Sequence, residues 1–170
     1  MARCRRAQGR LAESRVLIEE ASEVAKEASA GFLGPAIYAA LAGSSKDPAE
    51  RKRYLEQGQE MMSQYCMAPS RLLFYQDAIE VSLEDGEWDA ALEYADSLEE
   101  SIEAEPIGFA QLIAARGRAL VAFNRVGPRP EIVAELMSVR ARLIRASLSG
   151  FVHGIDAALA LVPKGVTEGA

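Results

Sequence analysis

The sequence predicts an all-α protein of about seven or eight antiparallel helices, and three observations carry that prediction. Apolar residues recur at three- and four-residue spacing in segment after segment, the period of an amphipathic helix. Runs of β-branched residues alternating with polar ones, which a sheet would need, are absent. Five of the seven prolines, at positions 35, 48, 69, 106 and 130, stand where the periodic segments begin. Proline suits a first turn because its missing amide would have no intrahelical partner there. At 170 residues, 49% apolar and 26% charged, the chain can bury a substantial core without disulfides or metals.

In chain order, the first helix is expected from about Ala7 to Ser29. Its broad apolar stripe comprises Leu11, Val16, Leu17, Ile18, Ala21, Val24, Ala25 and Ala28. Gly31 and Gly34 stop it, and Pro35 opens a second helix to about Gly43. That short segment is apolar nearly all round, so it should lie buried between neighbours. Asp47-Pro48-Ala49-Glu50 is a helix start in which Asp47 caps, Pro48 presets φ and Glu50 reaches back. The third helix then runs to about Tyr65, with Tyr54, Leu55, Gly58, Met61 and Met62 inward.

The fourth and fifth helices form the centre of the pattern, over Pro69 to Glu105. Leu72, Tyr75, Ile79 and Leu83 recur on one, and Trp88, Ala91, Leu92, Ala95, Leu98 and Ile102 on the other. Asp85-Gly86-Glu87 joins them, Gly86 suiting a left-handed helix end. A sixth helix is expected over Ile107 to Asn124. A seventh spans Glu131 to Ser147, with Ile132, Val133, Leu136, Met137, Val139, Leu143 and Ile144 apolar. A last one spans Gly150 to Leu161. Gly9, Gly43, Gly86 and Gly127 are spaced by 34, 43 and 41 residues, about one helix pair per interval, as in a helical solenoid. The pattern implies one domain over residues 1–162 with a frayed tail at 163–170.

The run Gly86-Glu87-Trp88-Asp89-Ala90-Ala91-Leu92-Glu93-Tyr94-Ala95 resembles the second half of a tetratricopeptide repeat. Gly9-Arg10-Leu11-Ala12-Glu13-Ser14 and Arg116-Gly117 with Leu120 carry weaker versions of its cues. More specifically, the chain resembles the C-terminal repeat region of bacterial adenylate/guanylate cyclase-like proteins that carry an AAA-type ATPase module. Phe74-Tyr75-Gln76-Asp77-Ala78-Ile79-Glu80, the Gly86 turn and Ala114-Ala115-Arg116-Gly117-Arg118-Ala119 carry that likeness. It implies a tetratricopeptide-like solenoid serving as a non-catalytic interaction or regulatory scaffold. Only eight residues precede Gly9, so on this reading the chain begins in mid-repeat and could self-associate. Groove candidates on the first helices of each pair are Tyr38, Phe74, Tyr75, Asp77 and Arg116.

The net charge is −6, but its distribution says more than its sum. From Leu72 to Ala115 there is no Lys or Arg, while twelve acids occur; seven arginines follow between Arg116 and Arg145. The plain expectation is a solvated face. The sharper one is an acidic docking surface for a basic protein partner or another copy, with Glu84, Asp85, Glu87, Asp96, Glu99, Glu100 and Glu103 as candidates.

Other chemistries find little to build on. His153 is the single histidine, with Asp156 three residues on. Glu99-Glu100-Glu103 lacks the looped oxygen spacing of a calcium site, and Gly43-Ser44-Ser45-Lys46 lacks the full phosphate-loop pattern. Met61-Met62 with Tyr65 reads as packing. The arginines are not interleaved with aromatics, which disfavours nucleic acid. Cys4 and Cys66 show no metal spacing; reduced thiols in a cytoplasmic protein are expected, with one disulfide the alternative. No signal peptide, membrane span, cofactor or metal is expected. A groove holding a small ligand or peptide is the rival to the scaffold reading, and an enzyme a distant third.

Overall fold

The computed structural model of the protein describes residues 1–27, 31–62 and 67–163. Ala28, the expected helix ends at Ser29 and Tyr65, Cys66, and residues 164–170 of the tail lie outside the described residues. Among the described residues there are nine α-helices, two short 3-10 turns and no strand. The chain divides into two compact units, Met1–Asp85 and Gly86–Ala170. The two helices that the sequence couples through Asp85-Gly86-Glu87 therefore belong to different units.

The first unit holds α1 (Ala2–Ala7), α2 (Leu11–Glu27), α3 (Gly34–Ser44), α4 (Pro48–Met62) and α5 (Ala68–Asp85). The single helix expected from Ala7 is thus two. Gly9, at φ +73°, ends the first of them, with the Arg10 amide donating to the Arg5 carbonyl at 2.9 Å. This is a left-handed cap that leaves room for a new helix immediately after it. α3 is the centre of the unit and packs on α2, α4 and α5. Its buried residues include Pro35, Ala36, Ala39, Leu41 and Ala42, which is the burial its uniformly apolar composition demands. Gly43 sits inside α3 rather than in a turn, and the Arg6 guanidinium occupies the space over it.

In this unit two apolar stripes differ from those expected of the sequence. On α2 only Ile18 and Ala25 of the expected set are buried, while Val16 and Val24 stay exposed. On α5 the enclosed apolar residues are Phe74, Ala78, Ile79 and Val81, whereas Leu72, Tyr75 and Leu83 are half-buried. Polar Gln76 and Asp77 go inside instead. Spacing alone could not show this, because it locates an apolar face but not a buried charge with a partner elsewhere in the chain.

The second unit holds α6 (Trp88–Glu100), α7 (Gly108–Val126), α8 (Pro130–Arg145) and α9 (His153–Ala160). α7 is its centre, packed on α6, α8 and α9. α6 buries Ala91, Ala95 and Leu98, spaced four and three apart on one face. α8 buries Val133, Leu136, Val139 and Leu143, a narrower stripe than expected, since Met137 and Ile144 are exposed. Pro106 lies outside α7, because Ile107 is extended at φ −109° and ψ 109° and the helix begins at Gly108. No helix among the described residues is long and apolar enough to cross a membrane.

Candidate functional site

The groove candidates fall into both units. In the first, Tyr38 on α3 and Phe74 on α5 meet at Gly58 of α4. A Cβ placed there would lie 2.6 Å from the Phe74 ring and 3.2 Å from the Tyr38 Cβ. Phe74 has no exposed surface and meets Tyr75 edge-on, ring centroids 5.5 Å apart. Tyr38 and Tyr75 are half-buried, and the Tyr38 ring lies 6.2 Å from Tyr54. Phe74 is therefore enclosed core, while the two tyrosines keep a solvent-facing part.

Asp77 is 2% exposed. A carboxylate buried to that degree needs a cation, and α1 supplies it. The Arg3 Nε and Nη2 donate to the Asp77 carboxylate at 3.0 and 2.7 Å. The Arg6 guanidinium stands 3.9 Å from Asp77 and donates to Glu84 at 2.9 Å. Arg51 reaches Glu84 at 3.1 Å and Asp85 at 2.6 Å. This alternating chain of three arginines and three acids fastens α1 and α4 to α5. α1 needs such a hold, since none of its own residues is buried.

Arg116, the candidate in the second unit, is 5% exposed. Its Nε donates to the Phe151 carbonyl at 2.6 Å, and its guanidinium lies 2.8 Å from where a Cβ on Gly154 would stand. It ties α7 to the turn before α9.

The acidic candidates divide in the same way. Glu84 and Asp85 face Arg6 and Arg51, and Arg118 takes Asp96 at 2.6 Å and Glu99 at 2.8 Å. Arg125 takes Asp89. Glu87, Glu100 and Glu103 are exposed and have no ion pair among the described residues, as is also true of Glu93. The basic segments flanking the acidic stretch thus neutralise a good part of it within the chain.

A second polar cluster escaped the sequence reading. Glu50 does not reach back over its own helix start. It accepts Arg15 Nη1 at 2.9 Å and Nη2 at 3.1 Å, the Ser45 hydroxyl, and the Tyr54 hydroxyl at 3.3 Å. Asp47 does cap, accepting the Ala49 amide at 3.0 Å. The Arg15 guanidinium, then the Ser45 hydroxyl, hold the Glu50 carboxyl down at about 2, against an ordinary 4.5. This partnership favours the folded state fully above the unfolded value and fades as pH falls from there toward the folded one. The gap in Tm between the wild type and Glu50→Gln is therefore expected to be widest near neutrality and to close between about pH 4.5 and 2. A gap constant across thermal melts in that window would remove Glu50 from the stabilising network.

Of the remaining sequence cues, one is packing and the others lie at the surface. Asp156 accepts Arg140 Nε rather than meeting His153, and both His153 and Asp156 are exposed. Met61 fills the space over Gly34. The Cys4 thiol is free and exposed. Among the described residues, no group of three or more His, Cys, Asp or Glu side chains is placed to hold a metal ion. No protein-family model matches the chain, and neither a curated protein nor a solved structure is matched.

Proposed function

We propose that the chain is a non-catalytic protein-interaction or regulatory scaffold, its helices arranged as tetratricopeptide-like repeats, with a basic protein segment as its partner. The observation that carries this reading is the outer face of α6. Asp89, Glu93, Asp96 and Glu100 follow one another at spacings of four, three and four, so they form one acidic stripe. All four are exposed, on the side of α6 opposite the buried Ala91, Ala95 and Leu98. Arg125 and Arg118 cover Asp89 and Asp96, and Glu93 and Glu100 remain for an incoming cation. The resemblance to cyclase-associated repeats fits a module that works beside other domains in the cytoplasm, and self-association through a basic helix of another copy belongs to the same reading.

The test is affinity capture from native lysate at low salt and at about 0.5 M, where the Debye length shrinks to a few ångströms. It is run in parallel with the Glu93→Lys/Glu100→Lys variant. A partner held at low salt, released at high salt and lost in the variant supports α6 as the docking face. A partner retained by the variant overturns it.

A further inference from the structure

Among the described residues, the outer face of α8 is uncovered. Val133, Leu136, Val139 and Leu143 are buried, and α8 packs on α7 and α9. Ala134, Met137, Ala141 and Ile144 form a second apolar stripe, at spacings of three, four and three. All four are exposed, Met137 to 51% and Ile144 to 46%. That alternation is the seam along which one helix packs on another, so the stripe suits a further helix. Its two alanines allow a close approach, and its two larger side chains supply the knobs.

The charges beside the stripe select the partner. On one flank Arg140 is spent within the unit, on Asp156 of α9. The other flank carries Glu131 and Glu135 in the first two turns and Arg142 and Arg145 in the last. These four are exposed and have no ion pair among the described residues. Acidic at one end and basic at the other, the flank complements itself when reversed. In an antiparallel pair of α8 helices centred near Val139, Met137 meets Ala141 of the second copy and Ile144 meets Ala134. Each level then sets a large residue against a small one, as a packed seam requires. The same register sets Glu131 against Arg145 and Glu135 against Arg142. A parallel pair would instead place like charges side by side at all four positions. We propose that the outer face of α8 binds the same face of a second copy of this chain, antiparallel, as a two-fold dimer. The contact uses a different helix from the acidic stripe of α6 and leaves that stripe free. One helix pair makes a small interface, so the dimer exchanges with monomer.

The test is sedimentation of the full-length protein at low salt, from low to high micromolar concentration. Monomer is expected to pass into dimer with no larger species, because a two-fold contact closes on itself. Met137→Glu, at an exposed position, is expected to leave a folded monomer, with Ile144→Glu on the same stripe taking its place should the first variant fold poorly. Charge reversal reads the register. Glu131→Arg/Glu135→Arg makes the flank wholly basic, and Arg142→Glu/Arg145→Glu makes it wholly acidic. Each of these chains alone is expected to dimerise about tenfold more weakly than the wild type. Mixed, the two regain every opposite-charge pair and are expected to form a heterodimer at least as tight as the wild-type dimer. Glu93→Lys/Glu100→Lys on α6 is expected to leave the dimer unchanged, which separates this contact from the α6 docking face. A wild type that stays monomeric overturns the proposal, as does dimerisation that survives both stripe variants. So do reversed chains that bind themselves as tightly as each other, species that grow beyond two chains, or loss of the dimer in the α6 variant.

Discussion

Phe74→Ala is expected to destabilise the first unit by about 3–5 kcal/mol, the cost of emptying an enclosed aromatic site. The ring has no exposed surface, and two neighbours of different kinds hold its shape: Tyr75 edge-on and the bare backbone of Gly58. Gly58 is the informative one. A glycine inside α4 sacrifices up to about 1 kcal/mol of helix propensity relative to alanine, and here a Cβ would stand 2.6 Å from the Phe74 ring. Close approach of α4 to Phe74 is what requires it. Gly58→Ala should therefore destabilise the wild type, because a backbone-attached atom and an enclosed ring cannot both keep their places. In the Phe74→Ala background the same substitution should cost much less, since the clash with the ring is gone and only the 3.2 Å approach to the Tyr38 Cβ remains. Urea melts of the four proteins check the difference. Equal effects of Gly58→Ala in the two backgrounds would mean that α4 does not lie over the ring.

How much of this was legible in the sequence depends on the kind of interaction. α3 could be read from composition, because a short helix apolar on all sides has no solvent face to offer. Prolines 35, 48, 69 and 130 marked true first turns, since proline acts on its own backbone and needs no distant partner. Phe74 and Asp77 were picked out as groove residues by resemblance, and both are buried. The aromatic ring is core because Gly58, sixteen residues earlier, makes room for it. Asp77 is buried because Arg3, 74 residues away, neutralises it. Arg15 and Glu50 form a pair across 35 residues, and nothing local to either announces the other. Helical periodicity reports which face is apolar; which charges go inside is settled by tertiary partners. The acidic stretch showed the same limit, since its composition was plain while its neutralisation by Arg51, Arg118 and Arg125 required the fold.

Ala91→Asp is expected to destabilise the second unit by about 4–7 kcal/mol at neutral pH. Ala91 is wholly buried on the face of α6 that packs on α7, and its buried neighbours on that face, Ala95 and Leu98, are apolar. An aspartate there escapes ionisation only by raising its pKa, by about 3–5 units for a fully buried group, and each unit is worth about 1.4 kcal/mol. The added volume costs a further part, of about 1–3 kcal/mol, which Ala91→Asn shares. The two substitutions are nearly the same shape, so their difference isolates the charge. Because the folded pKa of the aspartate would lie above its unfolded value near 4, the difference should grow as pH rises through that range and vanish in acid. That is opposite to Glu50, whose contribution is lost in acid. Trp88, half-buried at the start of the same helix, should tolerate a charged replacement better, because the new group can reach water. Thermal melts of the aspartate and asparagine variants between pH 4 and 8 decide the matter. Coincident stability of the two across that range would show that position 91 is wet, and the packing of α6 on α7 would have to be abandoned.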